Sequence, residues 1–540
     1  MYKLVLKGKD STKNFEIEKK QTLLKSFRDY SIDFEAPCGG KGICGKCKIQ
    51  ILQGNDKKFH VEEINYFSKE ELELGWRLSC LYEPENDILV NWENTESQKF
   101  SFLEEDYAFY EEVSPSLMPM EYLTIGQPYG VAVDIGTTTV VASLFSFETG
   151  EIVENSFSIN PQKNYGLDVL SRIEYQQNNP LAETNLKQSI LNCIDDLIIK
   201  LSLSTKINRN QIGAITIAGN TAMLHFLLGY SAQCLGKAPY ESKVVGATKI
   251  DFENLGLKSV QNGNVYVLPP IKGFIGSDIS AGLLVSDIES KTDATLFIDI
   301  GTNGELVMKT KDKMVCCSCA AGPAFEGANI SCGMRAEIGA IEKIEILDTG
   351  KIKIETIGNK KPVGICGSGI MDLLGEIARV QLVGKTGRLK KANLLEDAYK
   401  ELVGEDDSGR YFNLKTDEKE FKIYQSDLRQ IQLAKGAIRS GIEALIQSSN
   451  LKENELNEVI LAGQFGKHLR VQSLVDVGII PKHLKEKVKY VGNSSKTGAE
   501  MCLTHEKWRE KIEKLVENIE YLELSKLDGY DRLFAECLKF

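Results

Sequence analysis

Four cysteines near the start of the chain restrict what it can fold into more than any other feature. Cys38, Cys44 and Cys47 form a C-x5-C-x2-C run, and Cys80 follows alone. Four thiolates, three from one loop and one remote, are what a plant-type [2Fe–2S] cluster requires. Structural zinc is the rival reading, but it usually takes a second close cysteine pair, and Cys38 and Cys80 do not make one. Gly39, Gly40, Gly42 and Gly45 thread the same loop. They let the backbone wrap close to a cluster and aim N–H groups at its sulfurs.

The surrounding pattern agrees. YKLVLKG and NFEIEKK alternate as a hairpin, QTLLKSFRDYSID carries a short apolar helical stripe, and WRLSCLYEP and DILVNW read as further strands. Residues 1–95 are therefore expected to form a β-grasp ferredoxin. The loop spacing resembles that of adrenodoxin-like and bacterial [2Fe–2S] ferredoxins. Residues 96–128, with acidic and aromatic residues and no sustained period, are expected to be a linker packing locally through Phe100, Phe102, Tyr107 and Tyr110.

Beyond the linker the chain echoes itself. YGVAVDIGTTTVVASLF and ATLFIDIGTNGELVMK each run from a buried apolar strand through Asp-Ile-Gly-Thr into a second strand. A glycine turn with adjacent hydroxyls and N–H groups suits a phosphate, and a neighbouring Asp suits Mg²⁺. One such turn would mean little; the duplicate, Asp134 to Thr137 and Asp299 to Thr302, is much more specific. It resembles the two phosphate motifs of the acetate and sugar kinase/Hsp70/actin superfamily, whose members clamp ATP between ribonuclease-H-like lobes. The strand NEVILAGQFGKHL, ending in Ala462-Gly463-Gln464-Phe465-Gly466, resembles that superfamily's adenosine motif.

Other glycine-rich points have two readings. Gly219-Asn220-Thr221 and Gly367-Ser368-Gly369 each enter a helix, where they serve as caps or face an anion. Cys316, Cys317 and Cys319 suggest a second metal site. Neighbours on a strand point to opposite faces, so small buried core cysteines are the better account. The five histidines have no metal-ligand spacing.

At 540 residues the chain is long enough for several cores, and its net charge of −11 speaks against nucleic acid and anionic membrane surfaces. No apolar stretch approaches a membrane span, and MYKLVLKGKDSTKNFEIEKK has no signal-peptide core. A cytoplasmic location is expected, with the 13 cysteines reduced.

A ferredoxin joined to such an ATP fold closely resembles the ATP-dependent reductive activators of corrinoid proteins, over CGGKGICGKC, VDIGTTT, AGNTAMLH, DIGTNGE, AGPAFEGANISCGM, ICGSGIMDLL and LAGQFG. The resemblance implies a multidomain α/β protein with a middle domain at 129–206 and a C-terminal domain at 207–540. It implies a [2Fe–2S] cluster, ATP and Mg²⁺ as cofactors. The substrate would be a corrinoid protein (a corrinoid iron–sulfur protein or a methyltransferase corrinoid subunit) carrying Co(II), returned to Co(I) by one electron. It also implies an upstream low-potential donor and leaves room for a homodimer. A plant-type cluster sits near about −400 mV and the family's target couple is lower. Each ~59 mV uphill costs tenfold in a one-electron equilibrium, so ATP must bias the transfer.

By the same resemblance Asp134 and Asp299 organise Mg²⁺. Gly136, Thr137, Thr138, Asn220, Gly301, Thr302, Asn303, Gly322, Gly367 and Gly369 line the phosphates. Gly463 and Gly466 pass beside the base, and Glu305 and Glu326 position water. A redox-sensing ATP-dependent regulator and an unusual small-molecule kinase are the alternatives; a kinase has no use for a ferredoxin.

Overall fold

The computed structural model describes residues 1–8, 12–30, 32, 40, 42, 45, 47–54, 59–91, 126–237, 240–327, 330–416, 419–463, 466 and 469–540. Cys38, Cys44 and almost all of the expected linker lie outside them. The chain divides into two compact units, one built from the N-terminal strands and residues up to Tyr266, the other from Val267 onward.

In the first unit, strands β1 (Tyr2–Lys7) and β2 (Thr12–Ile17) form the expected hairpin. With β3 (Lys48–Gln53), β4 (Trp76–Leu78) and β5 (Ile88–Asn91) they make a five-stranded sheet, ordered β2-β1-β5-β3-β4. The helix Leu23–Asp29 buries Leu23, Leu24 and Phe27 against that sheet. Thr22 caps it, accepting from Lys25 N. The Leu23 and Leu24 N–H groups, which a helix start leaves unpaired, donate to the carbonyls of Tyr82 and Ser79 at 2.9 Å. The helix start is thus tied to the segment that carries Cys80.

The same unit holds a six-stranded sheet. β6 (Tyr129–Ile135), β7 (Thr139–Ser146) and β8 (Glu151–Ile159) form an antiparallel meander, and β9 (Ile212–Gly219) lies parallel to β6. β10 (Thr248–Asp251) and β11 (Asn264–Val267) complete it. The helix Ala182–Thr205 covers the meander with an apolar face that includes Leu186, Ile190, Ile194 and Leu197. This sheet runs straight across the boundary expected at 206/207. β9 is buried at every position and needs a partner on each edge, and β6 supplies one of them.

The second unit repeats the plan. β12 (Thr295–Ile300), β13 (Gly304–Lys309) and β14 (Met314–Cys319) form the meander. Two small sheets follow: β15 (Ala340–Ile346), β16 (Ile352–Thr356) and β17 (Gly364–Ile365), then β18 (Val403–Asp406), β19 (Gly409–Lys415) and β20 (Glu420–Tyr424). β21 (Glu458–Ala462) pairs in parallel with β12, and β22 (Val488–Tyr490) and β23 (Ile519–Tyr521) close the two edges.

The echo extends further than the Asp-Ile-Gly-Thr turns. Asp134 lies beside Ala218 with Gly219 next, and Asp299 lies beside Ala462 with Gly463 next. Each phosphate-type turn therefore has an Ala-Gly strand end as its parallel neighbour. That is the ribonuclease-H-like arrangement expected from the motifs.

Cys316 belongs to the apolar cluster on one face of β14, while Cys317 and Cys319 belong to the cluster on the other. Burial pushes the thiols of Cys316 and Cys317 well up, so they are neutral packing groups.

Candidate functional site

Cys47, just before β3, and Cys80, two residues after β4, are brought together by the antiparallel pairing of those strands, their sulfurs 3.2 Å apart. Both are buried and neither forms a disulfide. The backbone fixes the pair: Ser79 N donates to Cys47 O at 2.8 Å, which sets the segment carrying Cys80 against the end of the cysteine loop. Gly45, two residues before Cys47, has φ +64, and a Cβ there would lie 2.2 Å from the Tyr66 ring. Only glycine meets both conditions. Two buried thiols at this separation fit one shared metal atom, half of the four-thiolate set that a [2Fe–2S] cluster takes.

In the second unit, the β12–β13 turn is closed by Gly301 N donating to Asn303 O at 2.9 Å. Asp299, next to last in β12, faces Glu305 across the ladder. Burial, then the like charges of Asp278 and Asp299, holds the Glu305 carboxyl well above the usual carboxylate range. A cation at this spot would relieve that repulsion. Among the described residues no three Cys, His, Asp or Glu side chains are grouped closely enough to enclose a metal.

Thr302 Oγ1 donates to Glu326 Oε1 at 2.6 Å, joining the turn to the short 3₁₀ segment Pro323–Glu326. Gly322 faces open space, and a Cβ on Gly301 would meet only the Asn303 carbonyl, at 3.7 Å. Gly463 leaves β21 with φ +80 directly against Asp299, and Gly466 lies just beyond.

The first turn is braced more heavily. Gly136 N donates to Thr139 O, and Asn160 Nδ2 donates to Gly136 O at 2.8 Å. Asn220 caps the helix Thr221–Leu228, accepting from Met223 N, and its amide donates to Thr137 Oγ1 at 2.9 Å. The fully buried Arg172 donates to Thr137 O at 2.6 Å, Gly166 O at 2.8 Å and Gln162 Oε1 at 3.2 Å. Asp134, Thr137 and Thr138 remain partly open to solvent.

Comparison with known proteins agrees with this geometry. Residues 6–85 match the 2Fe-2S iron-sulfur cluster binding domain, 129–291 match the RACo middle region, and 293–540 match the C-terminal domain of RACo, the ASKHA domain. The chain belongs to the RACo family. Its domain types are those that take a [2Fe–2S] cluster and ATP with Mg²⁺.

Among RACo-like relatives, the corrinoid activation enzyme RamQ of Eubacterium limosum is 35% identical over 69% of this chain. The aligned part spans 64% of that relative's length. The [Co(II) methylated amine-specific corrinoid protein] reductase of Methanosarcina barkeri is 24% identical over 71% of this chain and 72% of its own. The solved structure of a reductive activator for corrinoid, iron-sulfur protein matches 100% of this chain and 98% of its own, with a TM-score of 0.69 at 28% identity.

Within this RACo-family chain the expected residues separate by unit. Asp299, Gly301, Thr302, Asn303, Glu305, Glu326 and Gly463 gather around one turn, and Asp134, Gly136, Thr137, Thr138 and Asn220 around the other. Gly369 has a different neighbour: its α-carbon packs so closely on β15 that a Cβ would lie 2.3 Å from Ile341 O. It serves helix–sheet packing, and Gly367 is buried in the same first turn of the helix Gly367–Arg379.

Sequence analysis did not single out Asp278, Asn160 or Arg172. Asp278 stands at the start of the helix Ser277–Val285, and Gly276-Ser277-Asp278 before an apolar run is the signal that marks it. Arg172 had no such signal, because an arginine inside an amphipathic helix normally reads as surface.

Proposed function

We propose that this protein reactivates a corrinoid protein by delivering one electron to Co(II), with ATP binding and hydrolysis driving the transfer uphill. The observation that carries the reading is the union, in one chain, of a ferredoxin with a buried Cys47–Cys80 pair and a duplicated Asp-Ile-Gly-Thr fold, matched end to end by a reductive activator. When bound, the [2Fe–2S] cluster supplies single electrons, the stoichiometry that Co(II) to Co(I) needs.

In this reading Cys38, Cys44, Cys47 and Cys80 hold the cluster. Asp299, with Glu305 beside it, orients Mg²⁺, Gly301 closes the turn, and the main-chain N–H groups of Thr302 and Asn303 meet phosphate. Glu326 holds the Thr302 hydroxyl in place. Asp134, Thr137 and Thr138 form the second phosphate contact. Gly463 and Gly466 let the chain pass the base. The substrate is a corrinoid iron–sulfur protein or a methyltransferase corrinoid subunit, the electron comes from a low-potential donor in the cytoplasm, and the active form is a homodimer.

The test is direct. The reduced protein is mixed anaerobically with MgATP and a Co(II) corrinoid protein, and the Co(I) absorption is followed. Co(I) that forms only with ATP is expected. Its absence with each of the two corrinoid classes would overturn the proposal.

A further inference from the structure

The ferredoxin helix touches the first lobe at a point that also braces the first phosphate-type turn. Arg28, in the last turn of the helix Leu23–Asp29, extends its guanidinium over two rings, 5.8 Å from the Tyr165 centroid and 5.7 Å from that of Tyr175. The rings lie 4.9 Å apart. Tyr175 OH accepts from Asn185 Nδ2 at 2.9 Å and Asn179 Nδ2 at 3.2 Å, which fixes the platform. Burial, with Tyr175 alongside, pushes the Tyr165 hydroxyl up to about 12, so this ring stays neutral at working pH. A guanidinium over neutral aromatic faces is an attractive contact of cation–π type.

Arg28 Nε also donates to Asn164 O. Asn164 ends the 3₁₀ turn Pro161–Asn164, and Asn160 begins it, accepting from Gln162 N at 3.0 Å while its amide donates to Gly136 O. Arg172 joins the other end, bonding Gln162, Gly166 and Thr137 at once. Residues 160–166 are therefore held on one side by the ferredoxin and on the other by Gly136 and Thr137. Asn164 Oδ1 is buried without a hydrogen-bond partner among the described residues. An unmet buried acceptor favours release of the contact that buries it.

We infer that Tyr165, Tyr175 and Asn164 form a docking face for the ferredoxin helix whose occupancy is coupled, through residues 160–166, to nucleotide at the first Asp-Ile-Gly-Thr turn. Arg28 is the anchor. The inference rests on the proposed nucleotide contact of that turn. It adds a physical link between the ATP-binding fold and the electron-carrying arm. Coupling is reciprocal: if nucleotide changes docking, then docking changes nucleotide affinity by the same factor.

The full-length holoprotein tests this with hydrogen exchange and with the affinity for magnesium adenylyl imidodiphosphate. Arg28→Ala should raise exchange over residues 161–175 without nucleotide. It should also change analogue affinity by roughly fivefold or more, the lower end of ordinary coupling. Arg28→Lys, which keeps the charge but loses the planar stack, should fall between. If Arg28→Ala loses its cluster, Tyr165→Ala and Tyr175→Ala probe the same contact from the lobe.

Exchange over 161–175 equal to wild type overturns the docking face. Unchanged affinity in Arg28→Ala, while Asp134→Asn loses affinity, overturns the coupling alone. Unchanged affinity in Asp134→Asn removes the premise that the first turn meets nucleotide. None of these readouts uses cobalt, so failure to form Co(I) is a separate result.

Discussion

Gly463 sits so close to Asp299 that a Cβ on it would lie 2.5 Å from the Asp299 Oδ1 oxygen, and its φ of +80 is one that side chains rarely adopt. The carboxylate proposed to orient Mg²⁺ is thus backed by bare main chain from the strand end that leads to the adenosine-type motif. A substitution here acts on both.

Gly463→Ala should therefore impair ATP use while sparing the ferredoxin. The left-handed conformation costs an alanine about 1–2 kcal/mol, before Asp299 is displaced. We expect ATP hydrolysis to fall at least about tenfold, as a loss near 1.4 kcal/mol in transition-state stabilisation implies. Iron content and the cluster absorption should match wild type.

Cys80→Ala should give the opposite pattern. Iron per chain should fall from about two, the content of a [2Fe–2S] centre, to a residual level, and electron transfer should stop. Equilibrium binding of MgATP should persist. Iron analysis with isothermal titration checks both; iron near six in the wild type would instead require further clusters and would contradict the packing role of Cys316, Cys317 and Cys319.

Glu326→Gln tests the brace on Thr302. The 2.6 Å contact is a charge-assisted hydrogen bond. Such bonds contribute about 1.5–3 kcal/mol, and the amide keeps part of that. The turnover number for ATP hydrolysis should drop about tenfold with a smaller change in KM. A KM effect with unchanged turnover would instead make Glu326 a binding group.

Glu305 predicts a pH dependence. Its folded carboxyl titrates well above the ordinary value of 4.5, so the stability it contributes is complete below that value and is lost as pH rises through the folded value. Glu305→Gln cannot ionise. The Tm of nucleotide-free Glu305→Gln minus that of wild type should therefore be smallest near the ordinary carboxylate range and grow as pH rises. A difference independent of pH would show that the Glu305 carboxyl is not perturbed.

The parts legible in the sequence were those whose chemistry is local. Three cysteines in one loop with interleaved glycines specify a thiolate site whatever surrounds them. The Asp-Ile-Gly-Thr turn is similarly a statement about a few consecutive backbone atoms. Alternation located β1 and β2, and continuous apolar runs located β6 and β12, which are buried along nearly their whole length. The parts that were not legible depend on distant partners. Gly367-Ser368-Gly369 reads like an anion loop, yet Gly369 is spent on close approach to Ile341, which the turn's own residues do not encode.

The same distinction explains the boundary near 206/207. A long helix, Ala182–Thr205, ending in a left-handed Lys206 looks like the end of a domain, and locally it is an ordinary helix stop. Only pairing of β9 with β6 returns the next strand to the first sheet. Parallel partners are joined by a crossover, so their neighbours are remote in sequence and leave no local signal.

The residue chemistry proposed for this protein, four thiolates and two phosphate-type turns, was thus read from short spacings. Which strand end lies behind each turn, that a buried Arg172 holds Thr137, and that Arg28 meets Tyr165 and Tyr175, came from chain crossings between remote segments. Contacts of that kind are selected by burial and shape complementarity across the whole unit, and no short window of sequence contains them.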